Sequence, residues 1–217
     1  MSKTTAFLTS SVGRKMIMSL TGFFLFSFLI IHVYINLFLL KADRGATFDV
    51  YAEFMATYPL LRPLEIVLFA GFLLHAFVGG WLWLTNRSMR PRPYKVSRAS
   101  DSSTLSSRIA FWTGVFVFVF LVVHVNTFFV QSRFFPDGQP MSERVATAFR
   151  SPVYDAFYLI ALVFLGYHLK HGFQSAFQTL GLRTKKYERL IDVVGIFFWL
   201  IIPICFAAMP LYFLLAQ

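Results

Sequence analysis

Five stretches of the chain run almost without charge: Met16 to Leu40, Ile66 to Asn86, Ile109 to Ser132, Ser151 to Leu169, where Asp155 is the one charged residue, and Val193 to Gln217. Crossing the hydrocarbon core of a bilayer takes about 20 apolar helical residues. Each stretch therefore predicts a transmembrane helix, with spans at approximately 16–40, 64–86, 109–132, 151–172 and 193–215. The longest polar connection, between Asn86 and Ile109, is too short to form a domain, so the chain reads as a single transmembrane domain, 1–217, of the all-α class. The first span follows Lys3, Arg14 and Lys15, as a signal peptide would. Its 25 uncharged residues exceed a typical signal h-region, however, and no small-residue cleavage site follows, which predicts a retained helix.

Composition agrees with this pattern: 14% of residues are charged, against about 25% in an average soluble domain. The net charge of +10 would suit nucleic acid, but the Lys and Arg sort by loop. The N-terminus carries Lys3, Arg14 and Lys15; the second loop carries Arg87, Arg90, Arg92, Lys95, Arg98 and Arg108; the fourth carries Lys170, Arg183, Lys185, Lys186 and Arg189. The first and third loops have three each. Positive residues stay on the cytoplasmic side, which predicts a cytoplasmic N-terminus, an outer C-terminus and no nucleic-acid partner. The loop R-S-M-R-P-R-P-Y-K-V-S-R is dense enough to contact anionic lipid or a partner as well. The lone Cys205 sits mid-span and excludes an internal disulfide or cysteine-ligated cluster, and no C-x-x-C-H is present to attach a c-type haem.

The spans are related to one another. T-G-F-F-L-F-S-F-L-I-I-H-V from Thr21 matches T-G-V-F-V-F-V-F-L-V-V-H-V from Thr113 at an offset of 92, and the second and fourth spans match more weakly at 93, through Pro59 and Pro152, His75 and His168, Gly79 and Gly172. The first two helices thus read as duplicated in the next two, with a fifth added. Four of the five histidines fall at equivalent positions, one per helix: His32, His75, His124 and His168, while His171 aligns with Val78. Ionisable groups inside a membrane are costly and mark function, and imidazole is a common axial ligand of haem iron.

Depth suggests how they pair. His32 lies about 26 Å beyond Lys15 and His124 about 24 Å beyond Arg108, both in the outer half; His168 lies about 27 Å inward from Arg150 and His75 about 20 Å inward from Arg62. The second pair is mismatched by about 7 Å, which uneven helix ends or tilt would absorb. This predicts that the first four helices form a haem-binding four-helix bundle with two stacked sites, each joining diagonal helices of parallel direction. Gly71 and Gly79, one turn either side of His75, and Gly172, one turn after His168, are candidates to make room for a macrocycle, or for ordinary close helix packing. Phe24, Phe26 and Phe28, with Phe116, Phe118 and Phe120, are candidates to wall it.

Three motifs carry a resemblance: G-R-K-x-x-M-S-L-T-G from Gly13, H-A-F-V-G-G-x-L-x-x-x-N-R-x-x-R-P from His75, and Y-H-L-K-H-G-F-Q-S-A-F-Q-T-L-G from Tyr167. Over essentially its whole length the chain resembles the cytochrome b558 subunit of bacterial succinate dehydrogenase and fumarate reductase. The resemblance implies two b-type haems, the distal one held by His32 and His124 and the proximal one by His75 and His168, with His168 selected over His171 because it stands four residues before Gly172. It implies a multi-pass protein of the bacterial inner membrane that anchors a flavoprotein and an iron–sulfur subunit on the cytoplasmic face. Such a chain carries electrons to or from a quinone, menaquinone among the family, and performs no succinate chemistry itself. The sequence departs from the family where a glycine is common after the first ligand, having Ile35 there.

Polar residues within the spans are candidates for a quinone site: Asn36, Glu65, Tyr34 and Asn126 on the outer side, Ser19, His171 and Gln174 on the inner side. Arg14 and Lys170 are candidates to pair with haem propionates, or to anchor at the interface. In the fifth span Pro203 and Pro210 each remove a helical hydrogen bond. No phosphate loop, dinucleotide fingerprint or nucleophile constellation appears. Two other readings fit the histidines: a di-haem anchor for a different respiratory oxidoreductase, and a proton-coupled transporter using a histidine relay across a repeat.

Overall fold

The computed structural model describes residues 10–88 and 104–215. Among them every regular element is helical. Five helices are long and apolar enough to cross a membrane: α1 (Ser11–Leu40), α3 (Leu61–Ser88), α4 (Leu105–Phe134), α6 (Pro152–Thr179) and α7 (Glu188–Leu215). Two short helices, α2 (Ala46–Thr57) and α5 (Met141–Ala148), lie in the loops at one end, called upper here; α1 starts at the lower end. Large apolar side chains face outward all along the bundle, including Leu20, Ile31, Val67, Phe77, Trp112, Val119, Val163 and Ile204. In water such a surface would drive association; hydrocarbon is its matching solvent, and the helices satisfy their own backbone groups there. This is a multi-pass membrane protein.

Each span is longer than its uncharged stretch predicts. Ser10 accepts a hydrogen bond from the Gly13 amide at 3.0 Å and starts α1 a turn before the charges end. Thr104 does the same for α4, from the Ser107 amide at 3.3 Å. The largest correction is in α6, expected to stop near residue 172 and observed to continue to Thr179. Phe173 and Ala176 are buried there, continuing the inward face of Asp155, Tyr158, Ala161, Leu162 and Leu169, so packing carries the helix two turns further. It ends where Gly181 takes the left-handed conformation (φ 70°) and the Leu182 amide bonds the Phe177 carbonyl at 2.9 Å.

α6 is the central element, packed against α1, α4 and α7. α1 also packs on α3, and α3 meets α4 more lightly, closing a four-helix ring in which α1 faces α4, and α3 faces α6, across the diagonals. α7 lies outside the ring, on α6 and α1. Pro203 offers no N–H to the Trp199 carbonyl; the helix widens into a π turn over Phe197–Ile201. That carbonyl lies 2.9 Å from where a Cβ on Gly166 would stand, so glycine in α6 is what admits α7 this closely.

The loop helices are tied together at the upper end. The Asp49 carboxylate of α2 accepts from the Ser142 amide at 2.8 Å and its hydroxyl at 2.6 Å, capping α5. Beside it Asp43 accepts from the Thr47 hydroxyl and from the Thr47 and Gly45 amides; these donors, the hydroxyl foremost, hold its carboxyl below the usual carboxylate range. Of the basic residues that set the expected topology, Lys3, Arg90, Arg92, Lys95 and Arg98 lie outside the described residues, as does most of the proline-rich basic loop.

Candidate functional site

The four aligned histidines meet as two pairs across the diagonals. His32 of α1 and His124 of α4 have ring centroids 5.8 Å apart, with planes at 87°. His75 of α3 and His168 of α6 are 6.2 Å apart, at 77°. The pairing is the one that depth suggests. His75 lies 14 residues into α3 and His168 16 residues into α6, an offset of about 3 Å. Arg150 misleads as a depth marker because it stands in the turn before α6.

Two glycines locate the levels. A Cβ on Gly22 of α1 would meet His75 Cε1 at 3.7 Å; one on Gly114 of α4 would meet His168 Cε1 at 3.1 Å and Nδ1 at 3.4 Å. His32 and His124 each follow their glycine by ten residues, a rise of about 15 Å. The pairs are therefore stacked, His32 and His124 toward the upper end. At Gly71, Gly79 and Gly172, the glycines singled out by spacing, an added Cβ would stand 3.0, 3.4 and 3.9 Å from Phe24, Met18 and Phe26, close packing that glycine permits. Gly22 and Gly114, the glycines beside the lower histidines, each follow a threonine at the head of a repeat copy.

Aromatic rings wall the upper pair. Phe28 stacks on His32 at 5.1 Å, one turn earlier on α1, and Phe206 of α7 approaches at 5.5 Å. Phe120 and Phe128 flank His124 at 5.6 and 5.3 Å. The other phenylalanines serve packing: Phe26 joins Phe173 and Phe198 in the lower core, Phe116 meets Phe164, and Phe118 stacks on Phe72. Immediately after His124 the helix opens into a π turn, Val125–Val130, a local widening often found at functional sites.

The Nδ1 atoms are held differently. His75 Nδ1 lies 3.1 Å from the Thr21 hydroxyl, and His124 Nδ1 2.9 Å from the Tyr158 hydroxyl. The Asn36 amide donates to the His32 carbonyl at 2.7 Å and stands 3.4 Å from its Nδ1. His168 is buried with the Ala110 carbonyl beside its ring, and its Nδ1 makes no hydrogen bond of good geometry among the described residues. The hydrogen bonds of His32, His75 and His124 run through Nδ1, which leaves their Nε2 atoms available to a ligand.

The donor set fits haem. A metal sits about 2 Å from an imidazole nitrogen, which puts two imidazoles on opposite sides of one metal about 6 Å apart between centroids. No third His, Cys, Asp or Glu joins either pair among the described residues. Two nitrogens fall short of the four ligands of a structural zinc site and match the two axial positions of a porphyrin iron.

The remaining candidates are dispersed. Glu65 is paired with Arg62 at 3.0 Å, and Ser19, buried, donates to the Lys15 carbonyl at 3.0 Å. Tyr34 and Asn126 are exposed on the outside of the bundle, while His171 and Gln174 are half-buried on the lower part of α6, Gln174 within the helix and not on a turn. Arg14 lies over the Trp81 ring at 4.9 Å and Lys170 over Trp199 at 4.5 Å.

Asp155, in the first turn of α6, is 1% exposed, and neither carboxyl oxygen has a partner among the described residues. The positive end of the helix favours a carboxylate there, but an unpaired buried charge costs more than that contact returns. Asp155→Asn, which keeps the shape, is expected to raise the thermal unfolding midpoint of the detergent-extracted protein, by the equivalent of about 1–2 kcal/mol. A lower midpoint would show that the carboxylate is needed.

No family model, curated protein or solved structure matches the chain.

Proposed function

We propose that the chain is the di-haem cytochrome b membrane anchor of a succinate:quinone oxidoreductase. The observation that carries this is the pair of stacked, diagonal histidine pairs, each separated by the width of one six-coordinate metal. The succinate chemistry and the quinone, menaquinone by the same argument, rest on the resemblance of the three motifs.

In this reading His32 and His124 hold one b-type haem, and His75 and His168 the other. Bound haem supplies a one-electron iron couple. The chain's residues do the rest. Two histidines at each site would hold the iron without leaving a position for oxygen or substrate, which would favour electron carriage over oxygen activation. Gly22 and Gly114 keep a Cβ away from the lower imidazoles, and the aromatic rings about His32 and His124 exclude water. With the lower end cytoplasmic, as the charge asymmetry predicts, the His75–His168 pair is nearer a docked iron–sulfur subunit and its flavoprotein. The His32–His124 pair lies about 15 Å further toward the outer face. Electrons then pass between the iron–sulfur subunit and a membrane quinone, with no succinate chemistry on this chain.

The test is haem content per chain, with a dithionite-reduced minus oxidised spectrum, on protein gently extracted from its native membrane. Two low-spin b-type haems per chain, with succinate-dependent quinone reduction by the co-purified subunits, are expected. Absence of haem from membranes competent to make it would overturn the reading and return attention to the histidine-relay transporter. Two haems without succinate activity would leave a di-haem anchor for another oxidoreductase.

A further inference from the structure

The duplication makes two similar histidine pairs, yet it does not copy their hydrogen-bond partners. Thr21 lies 3.1 Å from His75 Nδ1, but its counterpart Thr113 donates to the Ala110 carbonyl at 2.9 Å and makes no hydrogen bond to His168, which has that same backbone carbonyl beside it. Tyr158 serves His124, but its counterpart at the offset of 93 is Glu65, which is paired with Arg62. The two pairs share geometry and differ in chemistry.

We infer that Tyr158 is a positioning residue for His124, fixing its tautomer and orientation, and that Thr21 does the same for His75, so that the electron affinity of each site is set by a different hydroxyl. This rests on the di-haem reading above. The donors and acceptors support it. The Thr21 hydroxyl spends its proton on the Ile17 carbonyl at 2.8 Å, so its oxygen is left to accept the His75 Nδ1–H. The Tyr158 oxygen takes the Tyr154 hydroxyl proton at 3.2 Å and lies 2.9 Å from His124 Nδ1; a metal on Nε2 would place the ring proton on Nδ1 and so make the tyrosine oxygen its acceptor. A neutral imidazole carries one N–H; with it on Nδ1, the Nε2 lone pair is free for a metal.

Tyr158 is also well placed to hold its hydroxyl still. It is 6% exposed, with Phe120 edge-on at 4.8 Å and Phe149 at 5.0 Å. An acceptor on the distal N–H of a ligating histidine fixes the ring and raises its basicity, which favours the oxidised metal. Removing that acceptor raises the midpoint potential of that haem alone.

The experiment is a redox titration of both haems in the purified complex. Tyr158→Phe keeps the ring and its packing and removes one oxygen; it is expected to move one midpoint upward and leave the other in place. Thr21→Val is expected to raise the other midpoint. Tyr154→Phe, which removes a competing donor from the Tyr158 oxygen and so strengthens it as an acceptor, is expected to lower the midpoint that Tyr158→Phe raises, by a smaller amount. A simple packing role predicts no such opposition of sign. The inference is overturned if both midpoints stay in place in Tyr158→Phe, or if Tyr158→Phe and Thr21→Val move the same component. A wild-type complex without haem overturns the di-haem reading itself, and this inference with it.

Discussion

His32→Ala and His124→Ala are each expected to lose the same one of two haems, and His75→Ala and His168→Ala the other. The grouping follows from geometry: the members of each pair are on diagonal helices with rings 5.8 and 6.2 Å apart, and the pairs are about 15 Å apart along the bundle. Removing one imidazole leaves a single axial ligand at that site and both at the other. The cavity costs about 2–4 kcal/mol by analogy with large-to-small core changes, spread over five long helices, so the bundle is expected to persist. His171→Ala is the control, because His171 faces no second histidine and is expected to leave both haems in place. The measurement is the haem-to-protein ratio with the reduced minus oxidised spectrum of each purified variant. Four variants with four unrelated spectra, or an unchanged spectrum in any of them, would refute the pairing.

Gly114→Val is expected to remove the same haem as His168→Ala without touching a histidine. A Cβ at this position stands 3.1 Å from His168 Cε1, tighter than an ordinary van der Waals contact, and valine adds two further methyl groups on the same side. The imidazole must move away, which disturbs its pairing with His75. Overpacking of this kind costs about 1–3 kcal/mol, less than would unfold the bundle but enough to displace one ring. Gly22→Ala places its methyl 3.7 Å from His75 Cε1 and is expected to be tolerated, and Gly80→Ala, with nothing within 4 Å, is expected to be silent. The same haem ratio and spectrum read all three; two haems retained in Gly114→Val would show that the ring has room this packing denies it.

Much of this site is legible in the chain before folding. The uncharged stretches mark the five spans, the repeat aligns four histidines, and distances counted from charged residues suggest diagonal pairs. The threonine–glycine heads at Thr21–Gly22 and Thr113–Gly114 are visible in the chain too, but glycines near a histidine in sequence, such as Gly71 and Gly79, are not the glycines near it in space. Antiparallel neighbours exchange contacts between distant positions, and no single-helix pattern reveals which. The lower end of α6 runs past its uncharged stretch for a related reason: past Gly172 the chain turns polar on average, while Phe173 and Ala176 keep one face apolar and buried.

The sequence by itself determined how many helices cross, which of them are copies, and how deep the histidines lie, because hydrocarbon tolerates few charges and a helix converts residue count into height. Only the tertiary structure decided what each imidazole's second nitrogen meets. Thr21 and Thr113 occupy equivalent places in the repeat and each donates its hydroxyl to a carbonyl of its own helix, yet only the Thr21 oxygen also lies within hydrogen-bond distance of a histidine Nδ1. Tyr158 and Glu65 are likewise equivalent, and the tyrosine bonds His124 while the glutamate bonds an arginine. A hydrogen bond needs its partners within about 3 Å and well aligned, a condition set by the approach and rotation of two helices and by no pattern along either one.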